Sequence, residues 1–384
     1  MTFKILSLDG GGIRGVISAT ILKEIEKTIK ADKQQGLHEY FDLIAGTSTG
    51  SILAAGIACE LSAQQMINLY NQDGHDIFLK SVRQRRQWRK LTQLMANKLL
   101  YPHEQGEQGL AKVLKKALDN SPLSQNLGKS ITIADIKQPQ LLLLAYDILS
   151  RNTTWFATDD PKEWYHQNQI ELWEICTASA SAPTFFPPYK ILYNFEEKEY
   201  LPHIDGGVSA NNPTLAAIAH ALSMQTGDEN NPKLQEIAVL SIGTGMTTRP
   251  YEYEEVKKWG LLNWGMNIPN IFLDPSAQNS EYISLRLLKS LGSENYLRLN
   301  LELNEQFQAK STANGLRKRL EQPYNQYIFQ RIGEKREISE DIDNPDNCKD
   351  LIAAAECYLD CGKVSYQEKM VSVREAIHEF IMAH

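Results

Sequence analysis

Short apolar runs alternate with stretches of helical spacing along roughly the first 245 residues. Phe3-Lys4-Ile5-Leu6-Ser7-Leu8 predicts a strand. Val16, Ile17, Ile21, Ile25 and Ile29 then recur at the spacing of one helix face. A second apolar run, Tyr40 to Ala45, leads into a small-residue helix, Ser51 to Ala58. The strongest apolar run, Leu141 to Tyr146, predicts a buried strand and is far short of the ~20 residues that span a bilayer. Strands are expected near residues 3–8, 40–45, 140–149, 153–157, 199–204 and 236–242, with helices between most of them. That order predicts a three-layer α/β/α sandwich with a mainly parallel central sheet and functional loops at the strand C-terminal ends. Leu215 to Leu222 falls on a helix. In Trp259 to Phe272 the Gly, Asn and Pro residues predict no long regular helix; this apolar stretch is expected to line a pocket, act as a lid, or lie as a loop against the core.

Three loops at predicted strand ends carry chemistry. Gly46-Thr47-Ser48-Thr49-Gly50 reads Gly-x-Ser-x-Gly between a strand and a helix, the context of a nucleophile elbow. The turn strains the serine backbone, so Gly46 and Gly50 must lack side chains, and the Ser48 hydroxyl projects from the strand end. Asp9-Gly10-Gly11-Gly12-Ile13-Arg14-Gly15 opens a helix with bare N–H groups at its positive end. Such a loop binds a phosphate or a developing oxyanion. Its Gly-x-Gly-x-x-Gly spacing also matches a dinucleotide loop, but that fold gives no reason for a serine elbow within about forty residues. An acyl-transfer serine does, because its tetrahedral intermediate needs paired donors. The third loop is Asp205-Gly206-Gly207, before Asn211-Asn212-Pro213. Alone it reads as a turn with an Asx hydrogen bond, or as an acid able to approach another loop closely.

Together these blocks, with Ala178-Ser179-Ala180-Ser181-Ala182-Pro183 and Leu240-Ser241-Ile242-Gly243-Thr244-Gly245, resemble the patatin-like acyl hydrolases. The resemblance covers roughly the first 245 residues, in the family's order. It implies a patatin-type sandwich and a Ser–Asp dyad, with Ser48 as nucleophile and Asp205 as general base. Gly10, Gly11, Gly12 and the N–H of Thr49 would form the oxyanion hole, and Arg14 would steady the loop or the developing charge. Gly206 and Gly207 support the acid. Partial desolvation raises a carboxylate's pKa and basicity, so no imidazole relay is needed. The implied activity is a serine carboxylic-ester hydrolase acting on membrane glycerolipids, of phospholipase A, galactolipase or lipase type, with no metal or organic cofactor. A storage protein on the same fold, and a lipase effector of bacterial defence switched on by a nucleotide or partner, are the alternatives. The core is expected over 3–245, with 246–384 a largely helical remainder of the same globule.

A Ser–His–Asp triad needs a histidine after the acid. His220 lies on a predicted helix and His378 in no loop signature, while His203 precedes Asp205 by two residues. The five cysteines form no disulfide framework, and Cys357 and Cys361 have no nearby histidine pair to hold a metal. With no leader before the first strand, the expectation is a reduced, cytoplasmic protein, peripheral at a membrane at most. A net charge of −7 argues against general nucleic-acid binding and leaves oligomeric state open. One local exception is Ile77 to Tyr101, which holds Arg85, Arg86 and Arg89 among seven cations, Trp88 beside them, and no acidic residue. It reads either as a membrane-contact helix for anionic headgroups or as a solvated basic face over a core-packed stripe.

Overall fold

The computed structural model describes residues 2–87, 99–224, 231–246, 253–290, 295–303, 306–308, 318–320 and 338–384. An eight-stranded sheet forms its centre, made of β1 (Phe3–Leu8), β2 (Leu43–Thr47), β3 (Gln140–Asp147), β4 (Asn152–Ala157), β5 (Tyr189–Asn194), β6 (Glu199–Asp205), β7 (Ile237–Ile242) and β8 (Tyr296–Leu299). The order is β5-β6-β3-β2-β1-β7-β8, with β4 also pairing with β3. The β3-β2-β1-β7-β8 portion is parallel, and β4, β5 and β6 join antiparallel.

Side-chain alternation divides this sheet between two cores. Leu6, Leu8, Ile44, Leu141 and Leu143 point into the larger one, with Val16 to Ile29 of the helix Gly15–Asp32 and the apolar faces of Thr49–Ala58, Cys348–Cys361 and Val373–Ala383. Ile5, Leu43, Ala45, Leu142 and Leu144 point the other way, onto Ala217, Ile218 and Ala221 of Thr214–Ala221 and onto Leu288. Each fully buried Leu or Ile contributes about 1.5–3 kcal/mol over leaving it exposed. The result is the mixed, mostly parallel three-layer sandwich that the pattern predicted.

Three features depart from the expected pattern. β2 starts at Leu43, because Leu37–Tyr40 closes a helical turn first. β8 lies beyond residue 245, so the later part of the chain supplies a sheet strand and is not only helical. Leu261–Ser290 is one continuous helix, running through Gly265, Pro269 and Pro275, which corrects the expectation of a broken segment. Its C-terminal half is anchored: Ser276 Oγ donates to Ser209 O (3.4 Å), Ser280 Oγ accepts from Leu215 N–H (3.2 Å), and Leu288 is buried. Tertiary anchoring outweighs the poor local propensity. Among the described residues no helix is long and apolar enough to cross a membrane.

Candidate active site

Strand β3 acts as a ruler for the site. Its residue Leu144 pairs with Thr47 of β2, and its next residue, Ala145, pairs with Asp205 of β6. β4 occupies the opposite edge of β3 from Leu142 to Asp147. β2 and β6 must therefore share one edge, tip to tip and running in opposite directions. Ser48, one residue beyond Thr47, is brought against Asp205 where the two tips meet.

The elbow itself is strained and clamped. Ser48 has φ 55° and ψ −124°, just before the helix Thr49–Ala58. A non-glycine residue held there costs on the order of 1–3 kcal/mol, which the surroundings must over-determine. Ser48 N–H donates to Ser179 Oγ (2.9 Å), whose hydroxyl donates to Leu144 O (2.6 Å). Ser51 Oγ donates to Ser48 O (2.6 Å), and Thr47 Oγ1 to Ala210 O (2.8 Å). Close approach explains Gly50, where an added Cβ would stand 2.0 Å from Leu8 O.

Asp205 is buried, and desolvation lifts its carboxyl from 3.8 to about 6. The Ser48 side chain and the Gly207 N–H (2.7 Å) offset part of that rise. Its backbone is tied to the small-residue block: Asp205 N–H donates to Ser181 O (3.0 Å) and Gly206 N–H to Ser179 O (3.2 Å). Ser179 thus braces both sides of the site. Its sequence signals were the run of small residues from Ala178 to Ala182 and the place of that block in the family resemblance.

The glycine loop flanks Ser48: a Cβ on Gly10 would lie 3.2 Å from Ser48 Cβ. Gly10 N–H donates to Asn211 O (2.9 Å), so it is already committed and does not join the free donors expected of this loop. Among the described residues the N–H groups of Gly11, Gly12 and Thr49 carry no such bond. Gly12 has φ +58°, and Ile342 O sits 2.4 Å from where its Cβ would be, while accepting the Ile13 N–H (2.9 Å). Arg14 is buried on the following turn. Asp9, at the loop's start, is held by both Arg298 terminal nitrogens (2.9 and 2.5 Å), and Arg298 also reaches Ser241 Oγ (2.8 Å) and Glu281 (3.3 Å). Burial raises the Asp9 carboxyl, and the Arg298 guanidinium opposes that rise. Arg298 carried no sequence signal, since its partner lies 289 residues away.

The three histidines weighed for a triad are engaged elsewhere. His203 is fully buried and bonds Thr154 Oγ1 (2.9 Å) and Leu201 O (3.1 Å), with burial lowering its pKa. His220 pairs with Asp159 (2.8 Å), and His378 lies 3.6 Å from Asp32.

The basic segment is less free than its local sequence implied. Arg83 pairs with Asp346 (2.5 Å). Arg86 donates to Thr184 O (2.6 Å) and Leu99 O (3.2 Å), approaches Asp343 (3.5 Å) and lies 4.4 Å over the Phe185 ring. Arg86 is therefore a partly buried tie between the helix Lys80–Gln87 and the 338–347 stretch. Arg85 is exposed, and Trp88 and Arg89 lie outside the described residues.

The fold and this corner define a class: an α/β sandwich with a strained serine elbow, a buried acid at an abutting strand tip, and a glycine loop beside both. The patatin-like phospholipase family model matches residues 6–218, and the chain belongs to that family. It is 32% identical over 325 residues to Patatin-like protein 4 of Arabidopsis thaliana, covering 78% of this chain and 76% of that one. It is 28% identical over 318 residues to Patatin-T5 of Solanum tuberosum, covering 77% and 75%. It is also 28% identical over 312 residues to the cGAMP-activated phospholipase of Vibrio cholerae, covering 77% and 81%.

Proposed function

We propose that this chain is a lipid acyl hydrolase that cleaves carboxylic esters of membrane glycerolipids through a Ser48–Asp205 dyad. The observation that carries the reading is the meeting of β2 and β6 on consecutive residues of β3, which sets the strained serine against a buried carboxylate. A carboxyl raised to about 6 is ionised at neutral pH yet more basic than an ordinary aspartate. Asp205 takes the Ser48 proton as Oγ attacks the ester carbonyl. The tetrahedral oxyanion forms beside the N–H groups of Gly11, Gly12 and Thr49, at the positive end of Thr49–Ala58. Asp205 returns the proton to the leaving alcohol, and an acyl-Ser48 ester remains. Water, losing its proton to Asp205, attacks that ester; collapse releases the fatty acid and restores the hydroxyl. Arg14 steadies the glycine loop from beneath.

A serine-directed fluorophosphonate tests this directly. Stoichiometric label on Ser48, with hydrolysis lost in Ser48→Ala, supports the dyad. A folded wild type that takes no label and cleaves no ester favours the storage alternative. A second reading adds small-molecule control, and its support is similarity to the Vibrio cholerae protein named for cGAMP activation. Hydrolysis of phospholipid vesicles with and without added cyclic GMP–AMP decides it.

A further inference from the structure

We infer that Thr244 is a positioning residue that aims the Gly11 N–H at the developing oxyanion. The inference rests on the acyl-hydrolase reading above and assigns a task to the Leu240–Gly245 stretch, which the dyad does not use. Thr244 Oγ1 donates to Gly10 O at 2.9 Å, and Asn211 Nδ2 reaches the same oxygen at 3.5 Å. Gly10 N–H is fixed on Asn211 O at 2.9 Å. The peptide between Gly10 and Gly11 therefore has its carbonyl held from one side. Because a trans peptide is planar, its N–H, that of Gly11, points the opposite way. The threonine is also why position 11 must be glycine. Gly11 has φ 166°, which any residue adopts, but its Cβ would stand 2.1 Å from Thr244 Oγ1. The side chain occupies the room a larger residue 11 would need.

Thr244 is itself held still. Gly243 O accepts from Ser18 Oγ (2.9 Å), Gly243 N–H donates to Leu299 O (2.9 Å), and Gly245 N–H donates to Asn300 Oδ1 (3.0 Å). The residue is buried, and among the described residues its hydroxyl donates to the carbonyl whose orientation it sets. A neutral hydrogen bond so placed acts on the transition state only through the direction of a backbone donor. Its loss therefore lowers kcat and leaves substrate binding alone.

The test compares wild type, Thr244→Val, Thr244→Ala and Thr244→Ser on a soluble short-chain ester, with folding followed by thermal melts. Val keeps the shape and Ala relieves it, and both remove the hydroxyl, so either folded variant suffices. The expected result is a kcat about tenfold or more below wild type with KM held, and a parallel fall in the rate of Ser48 phosphonylation, because the adduct oxygen enters the same hole. Thr244→Ser should recover most of the rate. An unchanged kcat in a folded hydroxyl-free variant overturns the inference, and so does an equal loss in Thr244→Ser, which would make the effect one of packing. Wild type that is neither labelled nor active overturns the acyl-hydrolase reading as a whole; labelled, active wild type beside an equally active Thr244→Val overturns the Thr244 assignment alone.

Discussion

The elbow and the glycine loop stand side by side, yet they are made in opposite ways. The elbow's chain path is local, with strand, strained serine and helix following one another from Leu43 to Ala58, and Ser179 and Ala210 brace it from a distance. Gly46 must lack a side chain because Gly50 O stands 2.4 Å from where its Cβ would be, and Gly50 because Leu8 O stands 2.0 Å from its own. The glycine loop is assembled from afar. Asp9 leans on Arg298, Gly10 on Asn211 and Thr244, and Ile13 on Ile342. A nucleophile can be presented by a short turn, whereas a pair of aimed N–H groups needs support from several directions.

Predictions that separate the two regions run from large effects to small. Ser48→Ala and Asp205→Asn should each lower ester hydrolysis by about 10⁴-fold or more, and the double variant no further, since the two act as one unit. Initial rates with melting curves check this; a folded, fully active Asp205→Asn would end the dyad. Arg298→Met should be the most damaging change on the loop side. It leaves Asp9 buried without its partner, a loss of about 3–5 kcal/mol read as a lower denaturation midpoint. Ser179→Ala, the elbow counterpart, orphans one N–H for about 1–3 kcal/mol. Equal losses would erase the contrast between a loop that leans on a buried ion pair and an elbow that leans on one neutral hydroxyl. Gly11→Val should cost about 10²–10³ in kcat through lost donor geometry, with a lower melting temperature because its side chain must displace the buried Thr244.

The pH profile sharpens the elbow side. Asp205 works only when ionised, so kcat/KM should fall about tenfold per pH unit below an inflection at about 6. Stability runs the other way. The folded carboxyl sits above its unfolded value of 3.8, so the fold prefers the protonated form. That stability is present below 3.8 and lost as pH rises through about 6. Asp205→Asn should therefore melt above wild type at pH 8, with the gap closing in acid. The smallest effect is at the rim. Arg85→Gln should weaken binding to anionic vesicles by about 1 kcal/mol at most and leave a soluble ester untouched. Arg86→Gln should instead lower the melting temperature, because it severs ties to Thr184 and Asp343.

The same contrast explains what was legible in the sequence. The strands β1, β2, β3 and β7 could be located because each is a short apolar run bounded by turn residues, whereas β4 and β6 are mixed in polarity and rest on their β-branched and aromatic residues and flanking turns. Ser48 stood out because Gly-x-Ser-x-Gly encodes its own geometry within five residues. Asp205 was nameable through resemblance alone; its position against Ser48 is set by pairing across β3, and no local pattern records that. β5 was missed because Tyr189 to Asn194 is half exposed at the sheet edge, and β8 because only four residues form it. The internal ties of the basic segment could not be read for a related reason. Its neutralising acids, Asp343 and Asp346, arrive from more than 240 residues along the chain.

The remote anchoring of the glycine loop also sets an order of events during synthesis. Chains emerge from the N-terminus, and the elbow's own residues are complete by Ala58, the acid by Asp205. Arg298 and Ile342 come last. A growing or interrupted chain that stops before them carries both reacting groups but lacks the supports that hold the oxyanion donors in place. Assembly of the full site is therefore a late step, and a protease that clips the 338–347 stretch would loosen the Ile342 support of the loop while leaving Arg298, the serine and the acid in place.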